Sequence, residues 1–430
     1  MQTPQQHKIL LWHGYLLGGT GSNVYTRSLA RAWARSGHDV VVFCQEPHPE
    51  RFDLGGARVV RPHAGRLLPV FVLDRYEDME SRLLQEMEPV DVDAFVDANA
   101  AAVRAELPAD FVLANHVLLG GPVGAASGAP FAVKAHGSEL EFSIRGSERL
   151  AAWARETLDR AEVVFAGSEH IRRVLAEVVG PGPYLERTRI VPPGVDVEFL
   201  RPEPRDEALA CLLAEARRDV QTGSERDPDP ENAARFERFF ADERPTVAYV
   251  GKLSAEKGVS LLLQALAGVD AKAVVVGFGP ARSSLEDNVR CLAPGQVLLT
   301  GPLEHRHLVH LWNLADVSVT PSVFPEAFGM VAAEAAACGS LPLVARHSGL
   351  AEIAEGLESE YPPAHRELAS FAPGDVADLA AKLGALLALP RSDWLGLSRA
   401  ARRAVVGRWS WDRVAALLLS ADGRHPAVKP

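Results

Sequence analysis

The chain is predicted to be an α/β protein with two doubly wound, parallel-sheet domains facing across a cleft. Three observations lead there. Short, unbroken β-rich runs alternate with amphipathic stretches at helical spacing, the pattern of strands covered by helices on both faces. The alternation occurs twice, once before residue 200 and again from about residue 245. Finally, 430 residues at 47% hydrophobic and 23% charged give a globular composition with room for two or three cores.

The first series opens with a strand at Lys8–His13, where Ile9, Leu10 and Leu11 form an unbroken apolar run. A helix follows over Asn23–Ser36. Tyr25, Leu29 and Trp33 recur every four residues, Ala32 joins their face, and Gly37 stops the helix. Asp39–Cys44, Phe111–His116, Phe131–His136 and Val163–Gly167 are further strands, with helices near 90–107, 147–160 and 168–179. The second series places strands at Thr246–Gly251, Ala273–Gly277, Val297–Gly301, Val317–Thr320 and Leu341–Ala345. Its helices fall near 258–267, 281–292, 304–315, 328–338 and 349–357. Between the series, residues 201–244 are charged and carry two short helical patterns around a Pro/Asp/Gly-rich turn. They read as an insertion at the crossing between domains. The division is therefore an N-terminal domain 1–200, the insertion 201–244, a C-terminal domain 245–392 and terminal helices 393–430. In the last of these Trp411, Val414, Leu417 and Leu418 share a face, with Asp412 near the start.

The formal net charge is −11, so the surface repels phosphate backbones and nucleic acid is not an expected partner. Cys44, Cys211, Cys291 and Cys338 are scattered and form no metal-ligand spacing. They read as small buried hydrophobes of a reducing compartment. Lys8 precedes only a four-residue apolar run before His13-Gly14, too short for a secretory signal. No run reaches the ~18 apolar residues of a membrane span. A cytoplasmic protein is expected, with peripheral contact at a membrane surface left open. HAGRLLPVFVLDRYE, an apolar stretch with Arg66 and Arg75 near its ends, reads either as such a contact, as an acceptor loop, or as a buried hairpin or short helix.

In doubly wound sheets ligands sit at the carboxyl ends of the strands, so the chemistry is sought in the loops that follow them. PEAFGMVAAEAAACG, residues 325–339, is the strongest signal. Gly329 lets a ligand approach the backbone, and the free N–H groups of residues 328–331 at the helix start favour an anion such as a diphosphate. Glu334, inside the helix, can accept two hydrogen bonds from a vicinal diol such as a ribose, and Glu326 can hold hydroxyls of a second sugar. The bland alternative is a loop charge and a solvated helix charge. In VAYVGKLSAEKGVSLLLQAL, residues 247–266, Lys252 and Lys257 follow a buried strand and can neutralise a diphosphate, or are simply solvated. Gly18-Gly19-Thr20-Gly21 opens a helix and is either a phosphate loop or a flexible turn. Val24 stands where a dinucleotide fingerprint needs its third glycine. His136 ends a strand and can donate to a sugar hydroxyl, or be structural. His13 and His116 also end strands.

Taken in order, GGTGSNVYTRSLARAWARSGHDV, AHGSEL, IVPPGVD, VGKLSAEKGVSLLLQAL, VVVGFGP, the Glu326–Glu334 segment and WSWDRVAALL resemble glycosyltransferase family 4, the retaining nucleotide-sugar transferases of GT-B fold. The resemblance covers most of the chain. It departs at the insertion and at Lys252, where many members carry arginine. It implies two Rossmann-like domains, with the terminal helix crossing back to the first. It implies that Lys252 and Lys257 hold the donor diphosphate, and that backbone groups of Phe328, Gly329, Met330 and Val331 contact donor sugar and phosphates. Glu334 would bind the ribose, Glu326 the transferred sugar, and His136 that sugar from the other domain. Gly19 would sit near the phosphates and the acceptor, and Leu303 near the base. His136, Glu326 and Lys257 form the expected catalytic set, with no metal and no other cofactor.

The expected reaction moves a glucose- or mannose-type hexose from UDP-sugar, or secondarily GDP-sugar, to an alcohol on a small molecule, lipid or glycan. Two other classes are weighed against it. A nicotinamide-dependent oxidoreductase would use Gly19, Gly21 and Glu46, but leaves Glu326 and Glu334 unexplained. Against a non-catalytic nucleotide- or sugar-binding protein that kept the fold stand the intact Glu326, Glu334, Lys257 and His136.

Overall fold

The computed structural model describes residues 6–71, 79–222 and 227–420. The chain divides into two compact units, Met1–Gly194 with Trp411–Pro430, and Val195–Ser410.

The sheet of unit 1 is built from β1 (Lys8–Trp12), β2 (Asp39–Phe43), β3 (Arg58–Val60), β6 (Phe111–Asn115), β7 (Ala132–Lys134), β8 (Val163–Ala166) and β9 (Thr188–Ile190), after the smaller pair β4 (Leu67–Val70) and β5 (Glu80–Leu83). Its order is β3-β2-β1-β6-β7-β8-β9, all parallel. The order reverses between β1 and β6, which makes that edge the switch point of a doubly wound sheet. Alternate residues of β1 enter different cores: Leu10 and Trp12 face one layer, Ile9 and Leu11 the other. That is why its sequence is apolar throughout.

In unit 2, β10 (Thr246–Val250), β11 (Lys272–Val276), β12 (Val297–Gly301), β13 (Val317–Thr320), β14 (Leu341–Ala345) and β15 (Ser370–Phe371) form a second parallel sheet, order β12-β11-β10-β13-β14-β15. Its switch point lies between β10 and β13. The expected α/β alternation thus holds in both halves.

Several boundaries fall elsewhere than the sequence suggested. Residues 201–244 belong to unit 2. Ala208, Leu212, Ala216, Phe236 and Phe239 of helices Arg205–Arg217 and Asn232–Phe240 enter its core. The buried Lys272 ammonium donates to the Phe239 carbonyl at 2.7 Å. The helix Arg391–Trp409 also packs in unit 2, with Leu397, Ala404 and Trp409 buried there. Only Trp411–Ser420 joins unit 1, where Trp411, Val414, Ala415, Leu418 and Leu419 are buried and Leu417 is partly covered. Trp33 Nε1 fixes that helix by donating to the Ala415 carbonyl at 3.0 Å. Of the stretch after Arg66, Leu67–Val70 form β4, paired in parallel with β5 and so not as a hairpin; residues 72–78, Arg75 among them, lie outside the described residues. Cys211 and Cys291 are exposed, on the outer faces of helical segments, whereas Cys44 and Cys338 are buried as expected. No described helix is long and apolar enough to cross a membrane.

Candidate active site

In unit 2 the loops after β10 and β13 are pressed together. Gly258 has φ +67°, and a Cβ there would stand 2.0 Å from the Pro321 carbonyl oxygen. The N–H groups of Val323 and Phe324 donate to the Glu256 carbonyl at 2.9 and 3.2 Å. This approach delivers the Lys257 ammonium to the Glu326 carboxylate, Nζ to Oε1 2.5 Å. The pair keeps 34% and 21% of its side-chain surface open to solvent, so both charges remain available to a ligand. Lys252 is exposed at the end of β10, its carbonyl accepting from the Tyr249 hydroxyl at 2.9 Å.

Beyond Glu326 the chain enters the helix Met330–Cys338. Its ladder begins with the N–H groups of Ala332 and Ala333 donating to the Gly329 carbonyl, so those of Met330 and Val331 stand at the open end of the helix. Phe328 offers its backbone alone, since its ring is buried edge-on against Trp409. Gly329 is also constrained by packing. It has φ +120°, and a Cβ would meet Leu350 at 2.7 Å and Ile353 at 3.1 Å. The missing side chain makes room for the protein's own core. Glu334 lies between buried alanines with its side chain 13% exposed, and His305 Nε2 stands 3.8 Å from its carboxylate. His305 opens the helix His305–Leu314, two residues after the partly buried Leu303, so the loop after β12 reaches the same carboxylate.

The turn after β14 completes this end of the sheet, and nothing in the sequence singled it out. Ser348 Oγ accepts from the Glu326 N–H at 2.8 Å, and the Gly349 N–H donates to the Glu326 carbonyl at 2.9 Å. His347 bridges from the same turn to Ser322.

In unit 1, His136 follows β7 and its Nε2 donates to Asn115 Oδ1 at 3.2 Å. Beneath it Glu139, fully buried, accepts backbone N–H groups of His136, Val117 and Leu118, each at 3.0 Å. Burial pushes this carboxyl up to about 8, and the three N–H donors pull it down. The x-x spacing of His136 and Glu139 is that of a capping box, a signal by which the residue can be found in sequence. His116 ends β6 with φ +74° and is buried, its ring 4.5 Å from that of His136 and 5.8 Å from that of His13. Desolvation holds His13 down at about 4, and holds His116 and His136 well below the usual imidazole range. His13 Nε2 donates to Asn23 Oδ1 at 2.8 Å, and Asn23 Nδ2 in turn donates to the Gly18 carbonyl. The Gly-rich loop is thereby tied to the end of β1. Gly19 has φ +91° with open space where a Cβ would point. Glu46 accepts from the N–H groups of Leu17 and His48 at 3.1 Å, so it braces the same loop and is not presented as a free ribose acceptor.

The structure thus groups Lys257 with Glu326, Phe328 to Val331 at one helix start, and Glu334 with His305, all at the carboxyl ends of unit 2 strands. Gly19 and His136 hold the corresponding ends of unit 1. Among the described residues no group of three or more His, Cys, Asp and Glu is placed to hold a metal ion.

The chain is similar to known proteins over most of its length. The model of Glycosyltransferase Family 4 matches residues 19–199, and that of Glycosyl transferases group 1 matches 230–401. A D-inositol 3-phosphate glycosyltransferase from Xylanimonas cellulosilytica is 29% identical over 434 residues, spanning 95% of this chain and 93% of that protein. A GDP-mannose-dependent alpha-(1-6)-phosphatidylinositol monomannoside mannosyltransferase from Mycobacterium tuberculosis is 29% identical over 295 residues, 66% of each chain. Among solved structures, sucrose-phosphate synthase from Thermosynechococcus elongatus matches with TM-score 0.63 at 22% identity, covering 96% of this chain and 97% of that one. Anabaena HepE in complex with UDP and glucose matches with TM-score 0.65 at 16% identity, covering 98% and 100%. The protein is a nucleotide-sugar glycosyltransferase of GT-B fold. It belongs to glycosyltransferase family 4.

Proposed function

We propose that the protein is a retaining hexosyltransferase that moves a glucose- or mannose-type residue from UDP-sugar, with GDP-sugar as second choice, to an alcohol acceptor. The observation that carries this is the Lys257–Glu326 pair beside the open end of the helix Met330–Cys338, with Glu334 one turn inside. A nucleoside diphosphate sugar presents the complementary groups in that order: sugar hydroxyls, diphosphate and ribose diol.

Negative charge develops on the leaving diphosphate. Lys252 and Lys257 supply positive charge for it, and the N–H groups of Met330 and Val331 are donors held by the helix start. The chemistry then requires no metal. Glu326 orients the transferred sugar and Glu334 holds the ribose. His136 contacts the transferred sugar, and Gly19 leaves room at the phosphates and acceptor. Leu303 lies beside the base. The acceptor hydroxyl attacks from the leaving group's face and gives its proton to a donor phosphate oxygen, so configuration is retained. The C–O bond to the diphosphate breaks as the new glycosidic bond forms, and the nucleoside diphosphate departs. The names of two relatives, which act on inositol 3-phosphate and a phosphatidylinositol mannoside, support an inositol-bearing alcohol as the first acceptor class to try. Such a lipid acceptor would bring the enzyme to a membrane surface from the cytoplasm.

Thermal stabilisation by UDP, GDP, ADP and NAD at equal concentration tests the donor site. A ligand at a hundredfold excess over Kd adds about 2.7 kcal/mol. A shift with UDP or GDP, followed by turnover of the matching sugar nucleotide with inositol phosphate, supports the reading. A shift with NAD alone overturns it.

A further inference from the structure

We propose that His347 and Ser348 are positioning residues that set Glu326 for the transferred sugar; this rests on the sugar-binding role given to Glu326 above. The hydrogen-bond directions follow from the chemistry of the partners. His347 Nε2 lies 2.7 Å from the Ser322 carbonyl oxygen, which can only accept, so Nε2 carries the proton. In the neutral imidazole Nδ1 is then an acceptor. It stands 3.0 Å from Ser348 Oγ, and the hydroxyl donates to it. The oxygen of that hydroxyl is left to accept from the Glu326 N–H at 2.8 Å.

The imidazole therefore grips the loop after β13 twice, directly at Ser322 and through Ser348 at Glu326. The Gly349 N–H, donating to the Glu326 carbonyl at 2.9 Å, closes the clamp from the other side. Two features show that the turn is held for this contact. Ser348 adopts φ +48°, a left-handed conformation that a serine keeps only where its surroundings impose it. A Cβ at Gly349 would stand 2.4 Å from the Phe328 Cα, so the two loops touch backbone to backbone. The clamp fixes the backbone that carries Glu326, while Glu334 and the N–H groups of Met330 and Val331 lie beyond it. Its loss should be felt at the sugar and not at the nucleoside diphosphate.

The test compares His347→Ala, His347→Asn, Ser348→Ala and Glu326→Gln with the unmodified enzyme. Kd for UDP and GDP is measured by calorimetry. Turnover is measured with UDP-glucose and GDP-mannose, and the Glu326 amide is followed by hydrogen exchange on the protein alone. The expected result for His347→Ala and Ser348→Ala is faster exchange at Glu326 and an approximately tenfold fall in kcat, the effect of one displaced hydrogen bond. Nucleoside diphosphate Kd should stay within about twofold. His347→Asn, which keeps an acceptor for Ser348, should recover part of kcat. Unchanged exchange at Glu326 in both alanine variants overturns the positioning role, as does a parallel loss of kcat and nucleotide affinity. Glu326→Gln separates the two ideas: unchanged turnover in that variant removes the sugar-binding reading itself, whatever His347 and Ser348 do.

Discussion

Lys257 and Glu326, 69 residues apart in the chain, meet as an ion pair at the carboxyl edge of the unit 2 sheet. Each is the other's partner, and the proposed donor site calls on both. Lys257→Met should release Glu326 and remove a cation from the leaving diphosphate. Loss of one such stabilising donor costs about 10²–10³ in kcat. Steady-state kinetics with a saturating acceptor should show that fall, and a variant retaining full kcat would remove Lys257 from the leaving-group role.

Glu334 should act on the nucleotide. Hydrogen bonds to a charged group are worth about 1.5–3 kcal/mol, so Glu334→Ala should weaken nucleoside diphosphate binding roughly ten- to a hundredfold. Calorimetric titration reads this directly. An unchanged Kd would take the ribose away from Glu334.

Gly258 holds the two loops in contact. Alanine there must bear φ +67° and a Cβ 2.0 Å from the Pro321 carbonyl oxygen. The expected cost is about 2–4 kcal/mol of stability, with loss of the Lys257–Glu326 pairing. A lowered Tm together with lost turnover is predicted for Gly258→Ala. Gly295→Ala, where a Cβ meets nothing within 4 Å although φ is +76°, should cost less.

Unit 1 should be acid-sensitive. His13 and His116 are buried and held below the ordinary imidazole pKa of about 6.5 by desolvation. Unfolding therefore takes up protons as pH falls below that value, and stability is lost. Glu139 acts in the opposite sense. Its carboxyl, raised to about 8, holds a proton that the unfolded chain gives up above about pH 4.3, so its contribution declines as pH rises through that window. Two histidines against one carboxyl leave a net proton uptake on unfolding near pH 5, and so a net loss of stability there. His136, partly exposed and depressed chiefly by desolvation and then by Lys134, adds to the loss. Calorimetry at pH 7, 6 and 5 should show this fall, and His116→Phe should flatten it; an identical slope in that variant would count against the buried histidine.

Much of the site was legible because strand-end positions follow from local pattern. The apolar run of β10 announces where Lys252 must emerge, and the run of β7 does the same for His136. Glu334 was legible as a lone carboxylate in an alanine-rich helix. The turn Ala345–Gly349 carried no such signal. His347 acts on Ser322 and Ser348 on Glu326, 25 and 22 residues away, and no sequence period links those positions. Gly329 was legible as special, but its packing role was not, because Leu350 and Ile353, which occupy the space a side chain would need, approach from another helix.

The sequence by itself determined the alternation of strands and helices, their order, and which residues stand at strand ends. Those follow from periodicity and side-chain volume within a dozen residues. The tertiary structure decided which loops meet. The parallel sheet places β13 beside β10 although two strands intervene in the chain, and this brings Lys257 to Glu326. It likewise carries the start of the helix His305–Leu314 to Glu334, and the turn after β14 to the loop after β13. Such encounters depend on strand order and on close backbone approach at Gly258 and Gly349, which are properties of packing across the sheet and leave no local trace in the chain.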